Sequence, residues 1–237
     1  GKWLENHSHR YTGMMLINPY FFGIGIRVLA LYHFNSNFDD SSGNNYNLSG
    51  NAVISSAQSK FGGSSASFYV SESVSSSVDA IPPFAGSDFT VEFWMYYARG
   101  ENIFDAATEN LVGFLPSSLP SERLMIRLDS SIGGTLQVEM VDGSTTSGFI
   151  TTSITKTNLR GRWAHIALVR QGTSFKLYVD GTLAGSVTYS ASFAIQSTLT
   201  IGKLPSGTNY YRGFIDELRI SDGAVYTANF TPPTSPF

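Results

Sequence analysis

The run Asp39-Asp40-Ser41-Ser42-Gly43-Asn44 gathers carboxylate, hydroxyl and amide oxygens within six residues. Converging oxygens of this kind are what a hard cation such as Ca2+ takes as ligands. The same residue types also cap and hydrogen-bond their own backbone in tight turns, so a plain turn is the competing reading. Glycoside hydrolysis needs two carboxylates about 5–5.5 Å apart for a retaining mechanism, and no spacing here supplies them. Asp216-Glu217 runs into Leu218, Arg219 and Ile220 with no third acid; Glu92 is alone in its segment; Glu139 leads through Met140 and Val141 to Asp142 in a turn. Glu217 reads instead as a surface partner for Arg219 or Arg212. No Gly-x-Ser-x-Gly elbow precedes a helix, so serine hydrolysis has no nucleophile to use. The expectation is a protein that is not an enzyme. His33 and His165 sit inside apolar runs and read as structural, while His7 and His9 read as solvated groups.

Aromatic rings are the other candidates. A planar ring stacks on the apolar face of a sugar while neighbouring amides and hydroxyls take its hydroxyls, the mixed lining of a ligand site. Trp94, Tyr96, Tyr97, Tyr210 and Tyr211 are of the right type. Trp94 and Trp163 lie in strand-like runs and are expected to pack. Tyr210 and Tyr211 follow the Gly207-Thr208-Asn209 loop, and Asn209, Tyr210 and Tyr211 are the expected ligand contacts.

These groups must be held by strands. In Asp88–Tyr97, Phe89, Val91, Phe93 and Met95 alternate with Thr90, Glu92, Trp94 and Tyr96, which predicts a central strand because apolar groups end up on both sides. Between Arg160 and Ser186, Trp163, His165, Ala167 and Val169, then Phe175, Leu177 and Val179, alternate across Gly-containing turns. Asp180-Gly181 supplies two residues that tolerate positive φ, as a type I′ hairpin requires. Further strands are expected at 28–34, 52–55, 65–70, 73–78, 124–128, 135–141, 148–154, 199–201 and 214–220. Turns recur every 8–12 residues without a long helical pattern, so the fold class is an all-β, two-sheet antiparallel sandwich or jelly roll.

The 237 residues are 42% hydrophobic and 14% aromatic, enough for a sizeable core. Charged residues make up 14% against about 25% in ordinary globular domains. A net charge of −3 without a Lys/Arg run gives no footprint for nucleic acid or anionic membrane. No apolar stretch is long enough to span a bilayer as a helix, and the start lacks the layout of a signal peptide. The absence of Cys excludes disulfides and thiolate sites and fits a bacterial or viral protein assembled in a reducing cytosol. Residues 1–27 lack a clean period yet carry Trp3, Tyr11, Met14, Met15, Leu16, Ile17, Tyr20, Phe21 and Phe22. Disordered tails are poor in such groups. The segment reads as an arm that buries itself on another subunit or across its own sandwich, ahead of a domain over 28–237.

The segments LALYHF, DDSSGNN, SAQSKFGGSSASF, DFTVEFWMY, GRWAHIALVRQGTSFKLYVDGTLAGS, LTIGK and GFIDELRISDGAVYTANFTPPTSPF occur in one order across 28–237. This set resembles the laminin-G-like, concanavalin-A-like jelly roll found in tailed-phage structural proteins and bacterial surface proteins. NPYFFG at 18–23 is similar to the start of such phage proteins, which makes Met14 or Met15 an alternative start. The resemblance implies a sugar-binding face and, in some members, Ca2+ at the sandwich rim, for which Asp40, Asn44 and Asp216 are the matching ligands. Asn35 stands where many relatives have Asp, which weakens that site. It further implies a non-catalytic virion module, a tail or head appendage, attached to other virion proteins or copies of itself through the arm and recognising a cell-surface glycan. The alternatives are a purely architectural subunit, a bacterial adhesin or an accessory module of a glycan-degrading enzyme.

Overall fold

Alternation in the chain translates directly into layers. The computed structural model describes residues 25–69, 71–77, 80–81, 86–98, 108–116, 122–130, 134–143, 147–190, 193, 197–203 and 210–237. Its elements are β1 (Val28–Tyr32), β2 (Ser49–Gly50), β3 (Val53–Ser55), β4 (Ser65–Phe68), β5 (Val74–Ser75), β6 (Phe89–Tyr97), β7 (Glu109–Leu115) and β8 (Glu122–Leu128). There follow β9 (Thr135–Asp142), β10 (Ser147–Thr155), the single helical turn α1 (Lys156–Leu159), β11 (Trp163–Gln171), β12 (Ser174–Val179), β13 (Thr182–Thr188), β14 (Thr198–Ile201) and β15 (Gly213–Ser221). All pairings between these strands are antiparallel.

One sheet has eight strands in the order β13-β12-β11-β6-β15-β4-β3, with β1 also paired to β15; the other has seven, β10-β9-β8-β7-β14-β5-β2. Phe89, Val91, Phe93, Ile166, Leu168, Phe175, Leu177, Ile215 and Ile220 of the first sheet meet Leu111, Phe114, Leu124, Ile126, Leu136, Val138, Met140, Ile150 and Leu199 of the second in one buried cluster. Each such side chain gains about 1.5–3 kcal/mol on leaving water, which makes this layer the main source of stability. The expected all-β sandwich is therefore observed, and β6 is central between β11 and β15.

β7 is missing from the sequence expectations. Glu109–Leu115 reads ENLVGFL, where Asn110 and Gly113 break the alternation, and a register shift between Asn110 and Val112 puts Leu111 and Val112 both in the core. The meander of β11, β12 and β13 is present, with Asp180 at φ 50° and Gly181 at φ 75° in the turn. Its face assignment differs from the simple pattern. Ala164, Ile166 and Leu168 fill the core, while Ala167 and Val169 point outward.

The outward apolar face is covered by the closing segment 222–237. Ala224, Tyr226 and Phe230 pack on Ala167, Val169 and Tyr178, and the Tyr226 and Phe230 rings stack with centroids 3.5 Å apart. A Cβ at Gly181 would lie 1.9 Å from the Phe230 carbonyl oxygen, so the turn needs Gly for close approach as well as for its φ. Two apolar faces on β11 are thus explained: one meets the core, the other meets this strap. At the other end of the strap Arg27 Nε donates to Asp222 Oδ2 at 2.6 Å. Residues 1–24 of the expected docking arm, 1–27, lie outside the described residues.

Candidate functional site

The oxygen-rich loop has a structural job. Asp40 is buried and its carboxylate accepts four hydrogen bonds: from Leu31 N at 3.0 Å, Ser42 N at 2.9 Å, Ser42 Oγ at 2.8 Å and Tyr46 N at 3.0 Å. Asn44 Nδ2 donates to the Leu29 carbonyl at 2.9 Å, and Ser42 Oγ lies 3.1 Å from the same oxygen. The loop therefore occupies the outer edge of β1 and satisfies backbone groups that would otherwise template another strand. Beside it, a shallow depression of about 420 Å³ is lined by His33, Phe34, Asn35, Ser36, Asn37, Asp39 and Ser41.

Asp216 does not join this loop. β1 does pair with β15, as expected, but the register ends at Tyr32 opposite Leu218, and a bulge separates Asp216 from Arg219. Asp216 Oδ2 instead accepts from Lys60 N at 2.8 Å and Phe61 N at 3.1 Å, pinning the 60–61 turn to the sheet. Burial pushes its carboxyl up to about 6. The expected ligand set Asp40, Asn44 and Asp216 is thus not assembled, and these donors do not fit Ca2+: one carboxylate is saturated by N–H and O–H donors, and the other is elsewhere. Among the described residues no group of three or more His, Asp or Glu is placed to hold a metal ion.

The expected ring pair divides. Tyr211 is 0% exposed and belongs to the core; its hydroxyl donates to the Tyr96 carbonyl at 2.8 Å, and its ring stacks on Tyr97. It has no face to offer a ligand, which corrects the sequence expectation. The apolar residues around it, Phe68 and Tyr97, explain why: the ring fills the end of the sandwich. Tyr210 is half-buried and forms a backbone bridge to Asn110 of β7, with Lys203 Nζ 5.7 Å from its ring. Asn209 lies outside the described residues.

On the eight-stranded sheet, acids and rings expected to act singly are linked to one another. Glu92 is 0% exposed; Arg219 donates to its Oε1 through Nε at 2.9 Å and Nη2 at 2.7 Å, Tyr226 donates to Oε2 at 2.7 Å, and His165 Nε2 lies 3.2 Å away. Burial pushes the Glu92 carboxyl up, but His165, Arg219 and Tyr226 outweigh it and hold the group below the usual carboxylate range. Trp94 is buried with Lys60 Nζ 3.9 Å over its ring, so both it and His165 are packed groups as expected. Glu217 departs from its expected surface role. It is buried, contacts His33 Nδ1 at 2.9 Å, and accepts from Phe237 N at 3.1 Å.

The outward face of the seven-stranded sheet is different. Residues paired across strands point the same way, and the register builds a row Ser75–Thr200–Gly113–Met125–Glu139–Phe149 beside a second row Asn110–Arg127–Gln137–Thr151. Phe149 is 43% exposed although it is a large apolar ring, and it stands on β10 among outward Ser147, Thr151 and Ser153. Arg123 donates to Glu139 Oε1 through Nε at 3.1 Å and Nη2 at 2.5 Å, while Arg127 Nη1 donates to Glu139 Oε2. The Arg127 guanidinium carbon is 5.8 Å from the Phe149 ring centroid. Asn110 is 1% exposed, and neither its Oδ1 nor its Nδ2 has a hydrogen-bond partner. A ring in contact with water, ringed by fixed donors and acceptors, is chemically a shelf for a polyhydroxylated ligand. Sequence reading missed Phe149, Arg127, Gln137, Glu139 and Asn110. The available signal was one phenyl ring on the polar side of an otherwise hydroxyl-bearing strand.

Known proteins share this architecture. Domain 4 of AbnA, a GH43 extracellular arabinanase from Geobacillus stearothermophilus, solved in complex with arabinotriose, superposes with a TM-score of 0.63 at 17% identity, covering 85% of this chain and 95% of that one. The binding domain of Paraclostridial Mosquitocidal Protein 1 gives 0.68 at 20% identity, over 84% and 50% of the two chains. The botulinum neurotoxin serotype G binding domain gives 0.64 at 12%, over 84% and 49%. The chain spans about half the length of these toxin domains. At such identities the likeness is one of fold. No curated protein sequence matches the chain. The family model described as the Concanavalin A-like lectin/glucanases superfamily, of laminin G type, matches residues 62–229. With that match and the two antiparallel sheets, the chain belongs to the concanavalin A-like lectin/glucanase superfamily.

Proposed function

We propose that this domain is a non-catalytic glycan-recognition module that binds on the outward face of its seven-stranded sheet. The observation that carries the reading is Phe149: a ring 43% exposed, flanked by Arg127, Gln137, Glu139 and Thr151. Tyr210 borders the same face through its bridge to Asn110. A sandwich of the same fold, the arabinanase domain, has been solved with arabinotriose, which supports a saccharide as the ligand class. Glu139 is committed to two guanidinium groups, and the buried acids Glu92 and Asp216 belong to the other sheet, so binding and not bond cleavage suits this face.

The test is a glycan array followed by calorimetry with Phe149→Ala and, as a control on the other sheet, Tyr96→Ala. Loss of a ring stack weakens saccharide binding about tenfold or more, while Tyr96→Ala leaves it unchanged. Equal binding by wild type and Phe149→Ala removes the site. The wider setting we propose is a virion appendage held to other virion proteins by the aromatic segment 1–27, which the ordered sequence motifs support. Co-purification of the chain with phage particles, lost on deleting that segment, tests it.

A further inference from the structure

We infer that the saccharide taken by this face carries an acidic group, and that Arg127 reads it. The inference rests on the proposed glycan face and adds the ligand's charge. Two arginines paired with buried glutamates spend the edge made by Nε and Nη2: Arg219 gives both atoms to Glu92 Oε1, and Arg123 gives both to Glu139 Oε1. Arg127 does the reverse. Its Nη1 donates to Glu139, and the Nε–Nη2 edge is left without a partner, with Nε itself buried. A buried guanidinium N–H without an acceptor is costly, so such a group calls for an explanation. That free edge is a fork whose spacing matches the two oxygens of a carboxylate or two of a sulfate.

The neighbours complete the recognition. Asn110 is the cross-strand partner of Arg127, and its side-chain amide, 99% buried, is also unpartnered. Glu139 already holds Arg127 from the opposite side, which fixes the guanidinium before a ligand arrives. Phe149, whose ring centroid lies 5.8 Å from the guanidinium carbon, takes the sugar ring.

The test compares oligogalacturonate, its methyl ester and a sulfated oligosaccharide of equal length, titrated into the wild-type chain and the Arg127→Lys and Phe149→Ala variants. The wild type prefers the free acid over the ester about tenfold or more, and Arg127→Lys, which keeps the charge but loses the fork, abolishes that preference. Phe149→Ala weakens acid and ester alike. Equal affinity for acid and ester in the wild type overturns the acidic ligand while leaving the glycan face standing. Binding of none of the saccharides overturns both. Preference for the sulfated sugar over both carboxyl forms keeps the fork and assigns it to sulfate. The wild-type comparison alone decides the matter if Arg127→Lys fails to fold.

Discussion

Asp216 shows how one carboxyl, expected at a metal site, becomes a pH-sensitive clamp. Burial raises its pKa from 3.8 to about 6; the amides of Phe61 and Lys60 oppose that rise, and the charge of Glu217 adds to it. The folded state therefore holds the proton more tightly than the unfolded chain. Its contribution to stability is fully present below pH 3.8 and is lost as pH rises through 6. Asp216→Asn cannot titrate and keeps an oxygen for both amides. Its stability relative to wild type should rise between pH 4 and pH 7 by an amount on the order of 2 kcal/mol, read by denaturant unfolding at each pH. A difference constant across that range contradicts this. Asp40 makes the complementary case: Asp40→Ala removes four hydrogen bonds and should cost about 2–3 kcal/mol. Because the Asp40 carboxylate is saturated by the chain itself, millimolar Ca2+ should not move the thermal midpoint of the wild type; a clear rise would show a cation site there after all.

At the level of elements, the strap 222–237 is what lets β11 be apolar on both faces. Phe230 stacks on Tyr226, meets Tyr178 at 5.5 Å and His165 at 5.7 Å, and its amide donates to the Gly181 carbonyl at 2.9 Å. Phe230→Ala should cost about 2 kcal/mol and speed hydrogen exchange at Leu183, whose amide donates to Asn229 Oδ1. Unchanged stability would mean that the strap is a passenger. Strands with strict alternation were legible before the structure, β6 above all, because period 2 needs only local residue types. β7 was not, since Asn110 and Gly113 take their places from long-range pairing with β8 and β14. The outward direction of Trp163, His165, Ala167 and Val169 also escaped the pattern, because a segment some 60 residues later supplies the cover.

For the molecule as a whole, the two faces of the sandwich have different fates. The eight-stranded sheet ties Glu92, Arg219 and Tyr226 into one hydrogen-bonded network under the strap. The seven-stranded sheet leaves an exposed ring and an unspent guanidinium edge. Composition and motif order carried the fold class, because core burial follows from residue type; they did not reveal that Tyr211 and Asp216 are buried, because such groups look alike in sequence whether they face water or fill a gap. Phe149 stood out in sequence only as a ring among hydroxyl-bearing residues, and the register then set it beside Glu139. The most direct measurement is hydrogen exchange of the whole chain with and without a saturating oligosaccharide found on the array. Protection should concentrate in β8, β9 and β10, residues 122–128, 135–142 and 147–155; protection confined to the eight-stranded sheet, or none at saturation, would contradict the assignment of this face.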